Sequence, residues 1–179
     1  VKERIERILR NRDKKKITGE NLKASAVLIP LFYNQGQYHI LLTERSDEVV
    51  FHKGQVCFPG GTRELSDPSL VQTALREAQE EIGLQAKDIE ILGELDDSIT
   101  FVSNYIISPF VAFIPYPHSL KTNGREVKRA FSVPLSFLMD ESNFKSDSYA
   151  YEYEGHIIWG ATARILREFV DLLTSESGA

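Results

Sequence analysis

The sequence predicts an α+β fold, a sandwich in which a mixed β-sheet lies between helices. Three observations predict it. Short apolar runs of strand length, bounded by turn residues, recur from Ala24 to Trp159. A central helical pattern near 68–82 and a terminal one near 160–173 separate and close them. Finally, 179 residues at 42% hydrophobic and 26% charged composition suit one ordinary globular domain with a sizeable core.

Taken in order, Val1 to Arg12 reads as an amphipathic helix with Ile5, Ile8 and Leu9 inward, and the basic run Lys14-Lys15-Lys16 reads as a solvated linker. These make an N-terminal helix and linker, 1–23, ahead of a domain, 24–179. Ala24 to Tyr33 and Tyr38 to Thr43 are strands of a hairpin whose turn is Asn34-Gln35-Gly36-Gln37. Asp67 followed by Pro68 predicts a helix start, with Asp67 as cap. Gly83 predicts its stop, and Leu70, Ala74, Leu75, Ala78 and Ile82 form the inward stripe. Ile89 to Leu95 is a strand, Asp96-Asp97-Ser98 a turn, and Ile106 to Ile114 a strand closed by Pro115-Tyr116-Pro117. Thr100 to Tyr105 is either a substrate loop or a plain connection. A strand from Val127 leads to a short helix, Pro134 to Met139; Tyr149 to Tyr153 and His156 to Trp159 form a closing hairpin, with Trp159 in the core, before the last helix.

The chemistry concentrates between Phe58 and Leu84, FPGGTRELSDPSLVQTALREAQEEIGL. Glu77, Glu80 and Glu81 are related by helical steps of three and four, so their carboxylates leave roughly one side of the helix. Such repulsion favours a neutralising cation. Arg76 offsets part of it, and a hard divalent ion, Mg²⁺ or Mn²⁺, suits an all-oxygen donor set. An acidic helix face is more often simply solvated; the nearby FPGG tips the balance. Gly60 and Gly61 allow positive φ and a close backbone approach, which makes the Gly61 carbonyl a candidate further ligand.

These residues resemble the signature of the Nudix hydrolases, G-x5-E-x7-R-E-U-x-E-E-x-G-U. Arg76 to Leu84 fits its second half, with Ala78 at an aliphatic position. In the first half Asp67 replaces the glutamate, and one extra residue precedes Arg76. The resemblance implies a Nudix α/β/α fold and hydrolysis of a diphosphate linked to another moiety. It also implies Glu77, Glu80, Glu81 and the Gly61 carbonyl as metal ligands and Arg76 as the residue that orients a glutamate. Leu41 to Gly61, LLTERSDEVVFHKGQVCFPGG, is similar to the further signature of the coenzyme A diphosphatase branch, L-L-T-x-R-S-x3-R-x3-G-x3-F-P-G-G. The matching Arg45, Ser46, Gly54, Phe58 and Gly60 are candidate substrate-binding residues. Val50 stands where the pattern has its second arginine, and His52 or Lys53 is the candidate replacement. Arg45 can read phosphate oxygens with its planar fork, or pair at the surface with Glu44 or Asp47. Glu126 opens E-V-x3-F-x-V-P-L, also similar to that branch, and is a candidate base or added ligand beside the surface-carboxylate alternative.

The implied substrate is a small nucleoside diphosphate derivative: coenzyme A or an acyl-CoA cleaved to 3′,5′-ADP and a 4′-phosphopantetheine product. The alternatives are ADP-ribose, NADH or a dinucleoside polyphosphate, and a non-catalytic diphosphate-binding module. A net charge of −5 argues against a broad nucleic-acid surface. No apolar run suits a membrane span, the first residues are no signal peptide, and Cys57 has no internal partner, so the cytoplasm is expected. Cys57 itself is expected to be a buried small hydrophobe. The chain starts at Val1 rather than methionine, which leaves room for upstream residues, and a homodimer remains open.

Overall fold

The computed structural model describes residues 1–47, 54–100, 104–116 and 119–175. Its helices are α1 (Lys2–Arg10), α2 (Leu70–Ile82), α3 (Leu135–Met139) and α4 (Gly160–Ser175). Its strands are β1 (Lys23–Asn34), β2 (Gln37–Arg45), β3 (Val56–Cys57), β4 (Gly60–Thr62), β5 (Glu90–Glu94), β6 (Ser98–Thr100), β7 (Tyr105–Phe113), β8 (Val127–Pro134), β9 (Phe144–Lys145), β10 (Ala150–Tyr153) and β11 (His156–Ile158). Among the described residues no helix is long and apolar enough to cross a membrane.

Strands β1 to β8 form one mixed sheet, with order β3-β2-β1-β7-β5, β6 on β7 and β8 on β2. Its parallel pair is β1 with β7, from Lys23↔Tyr105 to Leu31↔Phe113. The β1–β2 hairpin turns at Gln35 and Gly36, whose φ values of 47° and 86° are those of a turn matched to strand twist. Beyond Leu31↔Ile40 the hairpin splays, and residues 56–62 wedge into the opening. There β3 pairs with β2 through Thr43↔Cys57, and β4 pairs with β1 through Ala26↔Gly61. That wedge carries the two glycines to the middle of the sheet.

Alternation along the strands sends side chains to two cores. Ile29, Leu31, Ile40, Leu42 and Val111 meet α1, α3, α4 and the β9–β11 sheet on one face. Ala26, Leu28, Leu41, Phe110 and Ala112 meet Ala74, Ala78 and Ile82 of α2 on the other. The stripe read from the sequence therefore faces the sheet, although Leu70 is only partly buried. Ile5, Ile8 and Leu9 of α1 are buried in the first core, so the N-terminal helix is packed into the domain.

Several local expectations are corrected. Asp67-Pro68 does not cap α2: Ser69 does, accepting from the Gln72 N–H, while Asp67 turns inward. Gly60 and Gly61 lie in β4 and are absent from the positive-φ residues; they serve close approach instead. The expected turn at Asp96 and Asp97 is also an anchor, because Asp96 accepts from Arg12 and the Lys15 N–H, and Asp97 from the Ile17 N–H and the Ser108 hydroxyl. These bonds fasten the expected linker to the sheet. Trp159 is 51% exposed and lies outside the core.

Candidate active site

The site begins at the end of α2. Gly83, at φ 76°, lets the helix end in a left-handed cap: its N–H donates to Gln79 O and that of Leu84 to Ala78 O. The segment that follows β7 satisfies two more carbonyls, Lys121 N–H on Ile82 O and Asn123 N–H on Glu81 O. The Asn123 side chain then accepts from the N–H groups of Glu126 and Val127. Glu126, at the start of β8, is thereby fixed against the same helix turn that carries Glu81, and its carbonyl accepts from Ser46 N–H at 2.8 Å.

Glu81 is 2% exposed, and one of its carboxylate oxygens accepts from Gly60 N–H at 3.1 Å. Burial pushes its pKa up to about 8; the charges of Glu77 and Glu126 add to the rise, against the Gly60 bond and the Arg45 charge. Glu77 lies against the backbone of Gly61: a Cβ there would come within 2.4 Å of its Oε1. Burial raises the Glu77 pKa against the pull of Arg76, with Glu80 and Glu126 raising it further. A Cβ on Gly60 would meet the backbone oxygen of Ala26 at 2.3 Å. The backbone around Gly60 thus leaves no room for a side chain, whereas one at Gly61 would displace the Glu77 carboxylate.

Arg76 organises this face. Its Nε and Nη2 bind the two oxygens of Asp67, each at 3.0 Å; Nη2 also donates to Thr62 O, and Nη1 to Glu77 Oε1 at 2.9 Å and Glu80 Oε2 at 3.2 Å. Asp67, 6% exposed, accepts from Glu64 N–H and the Thr73 hydroxyl as well. The Arg76 bonds are the largest cause holding its carboxyl well below the usual range. Asp67 thus takes the place that the family pattern gives its first glutamate, as the partner of the arginine.

The three helix glutamates do not share one environment. Glu77 and Glu81 each feel the charge of Glu126, whereas the Glu80 side chain is 58% exposed and held by Arg76. Among the described residues no three carboxylate, histidine or cysteine groups form a ready metal cage. A buried carboxylate opposed by two others beside a side-chain-free backbone nevertheless suits a hard cation, and every donor is oxygen. Glu77, Glu81 and the Gly61 carbonyl could hold it.

Arg45, at the end of β2, has a buried Nε without a hydrogen-bond partner among the described residues, and its charge acts on Glu81. It forms no ion pair with Glu44 or Asp47 among the described residues, since these bind Arg129 and Lys128 instead. Gly54, at φ 66°, donates its N–H to Arg45 O. Phe58 is buried in the first core and offers a ligand no surface; it anchors the wedge. Cys57 is partly rather than fully buried; desolvation raises its thiol, and Thr43 Oγ1 lies 3.3 Å from its sulfur. His52, Lys53 and Val50 lie outside the described residues, as do parts of the Thr100 to Tyr105 and Pro115 to Pro117 segments. The sequence reading missed the Asp67–Arg76 pair, Thr73 and Asn123; an acidic residue six positions after Gly61 was the only local sign of the first.

Comparison with known proteins bears on the family and the fold. The NUDIX domain family matches residues 22–151. NudL of Photorhabdus laumondii, named an uncharacterized Nudix hydrolase, is 35% identical over 159 residues, covering 83% of this chain and 84% of that protein. The structure is similar to a Caenorhabditis elegans Ap4A hydrolase (TM-score 0.60, 14% identity, 86% of this chain and 99% of that one). It is also similar to the NUDIX domain of Shewanella oneidensis NrtR complexed with ADP ribose (TM-score 0.60, 17% identity, 96% and 97%).

Proposed function

Because this chain belongs to the Nudix hydrolase family, we propose that it hydrolyses a nucleoside diphosphate derivative with Mg²⁺ or Mn²⁺, and that the substrate is coenzyme A or an acyl-CoA. The observation that carries the hydrolase reading is the buried Glu81 carboxylate, facing Glu77 and Glu126 beside the Gly60-Gly61 backbone. The coenzyme A reading is supported by the run from Leu41 to Gly61 and weakened by Val50.

When bound, a divalent ion supplies charge neutralisation on the diphosphate and acidifies the attacking water. Glu77 and Glu81 would hold that ion, with Glu80, exposed and bonded to Arg76, as the further acidic donor of the helix. The Arg76–Asp67 pair keeps Glu77 aimed across Gly61. Arg45, with its unengaged Nε, donates to a phosphate oxygen. Ser46 and Gly54 shape the strand end around it. Glu126 takes the proton of the attacking water. Water then adds to one phosphorus as the bridging P–O bond breaks, giving 3′,5′-ADP and the 4′-phosphopantetheine product.

A substrate panel with chromatographic separation of products tests the assignment. Coenzyme A should be cleaved with a higher kcat/KM than ADP-ribose, NADH or dinucleoside polyphosphates. A preference for any of these three would keep the hydrolase and discard the coenzyme A reading. Tight nucleotide binding by calorimetry, without turnover in any divalent metal, would favour the non-catalytic module.

A further inference from the structure

The sheet has a second concavity on the face opposite α2. A cavity of about 400 Å³ lies between the ends of β2 and β3 and the β10–β11 hairpin, lined by Glu44, Gln55, Val56, Arg129, His156 and Trp159 among others. Trp159 is the only tryptophan in the chain and is half exposed at this cavity, beside the exposed Ile157. An indole left in water has not been spent on the core. Its face is available to stack on a planar group.

The polar lining is suited to an anion-bearing ligand. Among the described residues Glu44 is the one carboxylate of that lining, and its charge is already met by Arg129 Nε at 2.6 Å and Lys128 Nζ at 3.5 Å, with His156 Nδ1 3.6 Å away. The terminal nitrogens of Arg129 make no hydrogen bond among the described residues, and its side chain is largely exposed. His156 is itself fixed by stacking on Phe131, with ring centroids 4.1 Å apart. An aromatic wall, an unengaged guanidinium edge and the Gln55 amide together match a planar heterocycle carrying phosphate. The volume falls in the range of small-molecule sites.

The cavity also adjoins the strand end that carries Arg45. Glu44 and Arg45 are successive residues of β2, so their side chains leave opposite faces: Glu44 lines the cavity, and Arg45 acts on Glu81. The Arg45 backbone is bonded on both sides to the cavity wall, through its N–H to Gln55 O and its carbonyl to Gly54 N–H. A ligand passing over this strand end can keep its diphosphate by Arg45 while its far end enters the cavity.

We propose that this cavity is the subsite for the nucleotide half of the substrate, with the base on Trp159 and a phosphate at Arg129. Placing it in a hydrolytic cycle rests on the diphosphate-hydrolase reading; binding of the nucleotide half does not. Because Trp159 is the sole tryptophan, its emission reports occupancy directly. Metal-free protein titrated with adenosine 3′,5′-bisphosphate should show a saturable emission change, and 4′-phosphopantetheine should show none. Arg129→Ala should weaken that response by about tenfold, the scale of one charge-assisted contact. Trp159→Ala should raise KM for a nucleotide-bearing substrate by about tenfold, with recovery in Trp159→Phe, as loss of one stacking contact predicts. Since Trp159 is exposed, these two variants do not disturb the core. No emission change with the bisphosphate, a response to phosphopantetheine alone, or an unchanged KM in Trp159→Ala would overturn the proposal. A response to the bisphosphate in a chain that hydrolyses nothing would retain the subsite and remove the enzyme reading; turnover without any response would do the reverse.

Discussion

Glu81 is held in a place where its charge is disfavoured, and this has a measurable consequence in metal-free protein. Its folded pKa, about 8, lies above the ordinary glutamate value, so the folded state binds the proton more tightly than the unfolded chain. The resulting stability is fully present below about pH 4.5 and is lost as pH rises toward 8, by at most about 1.4 kcal/mol per pH unit. Glu77 is shifted in the same direction. Thermal melts in chelator should therefore show Tm falling from pH 5 to 8, less so in Glu81→Gln, with Mg²⁺ or Mn²⁺ opposing the fall. A flat wild-type profile would contradict the shift. Asp67 carries the opposite sign: its lowered pKa contributes stability above the usual carboxylate range that is lost only as pH drops below it. Asp67→Asn should cost about 3 kcal/mol at neutral pH, because the partly buried Arg76 loses the carboxylate that binds its Nε and Nη2, a loss that urea unfolding would measure. At this scale the sequence showed which residues were acidic and how they were spaced. It did not show that Arg76 would draw Glu80 outward, since that depends on Asp67 arriving from a separate loop.

At the scale of elements, β4 and α2 meet through two glycines with different consequences. In Gly61→Ala the new Cβ meets the end of the Glu77 side chain, which can move, so stability should hold while turnover falls by about 100-fold. In Gly60→Ala it meets the Ala26 backbone, which cannot, so stability should fall by about 1–3 kcal/mol. Parallel kinetics and denaturant titrations would separate the two; equal losses of stability would contradict this division. The helices and long strands were legible because their apolar periodicities are local. The Gly83 stop was legible for the same reason, since a left-handed residue is needed just beyond Ile82. The wedge of residues 56–62 was not, because it is set by pairing with β1, more than thirty residues away in sequence. Nor was the exposure of Trp159: a tryptophan beside an apolar strand reads as core until the cavity next to it is seen.

Over the whole molecule, one sheet separates two sets of chemistry, an acidic cluster under α2 and an aromatic, cationic cavity beneath β10–β11. The first core also includes α1, and Ile5→Ala should cost about 2–5 kcal/mol if that helix is integral to the domain. A loss near zero in denaturant unfolding would make α1 an appendage. The central claim remains that Glu77 and Glu81 hold a divalent ion against a diphosphate. It is tested most directly by the rate of coenzyme A hydrolysis as Mg²⁺ or Mn²⁺ is raised to saturation, in wild type and in Glu81→Gln. The account predicts no turnover in chelator, saturable activation by the metal, and a rate at least about 100-fold lower in the variant at saturating metal. Turnover in the variant within a few-fold of wild type would contradict it.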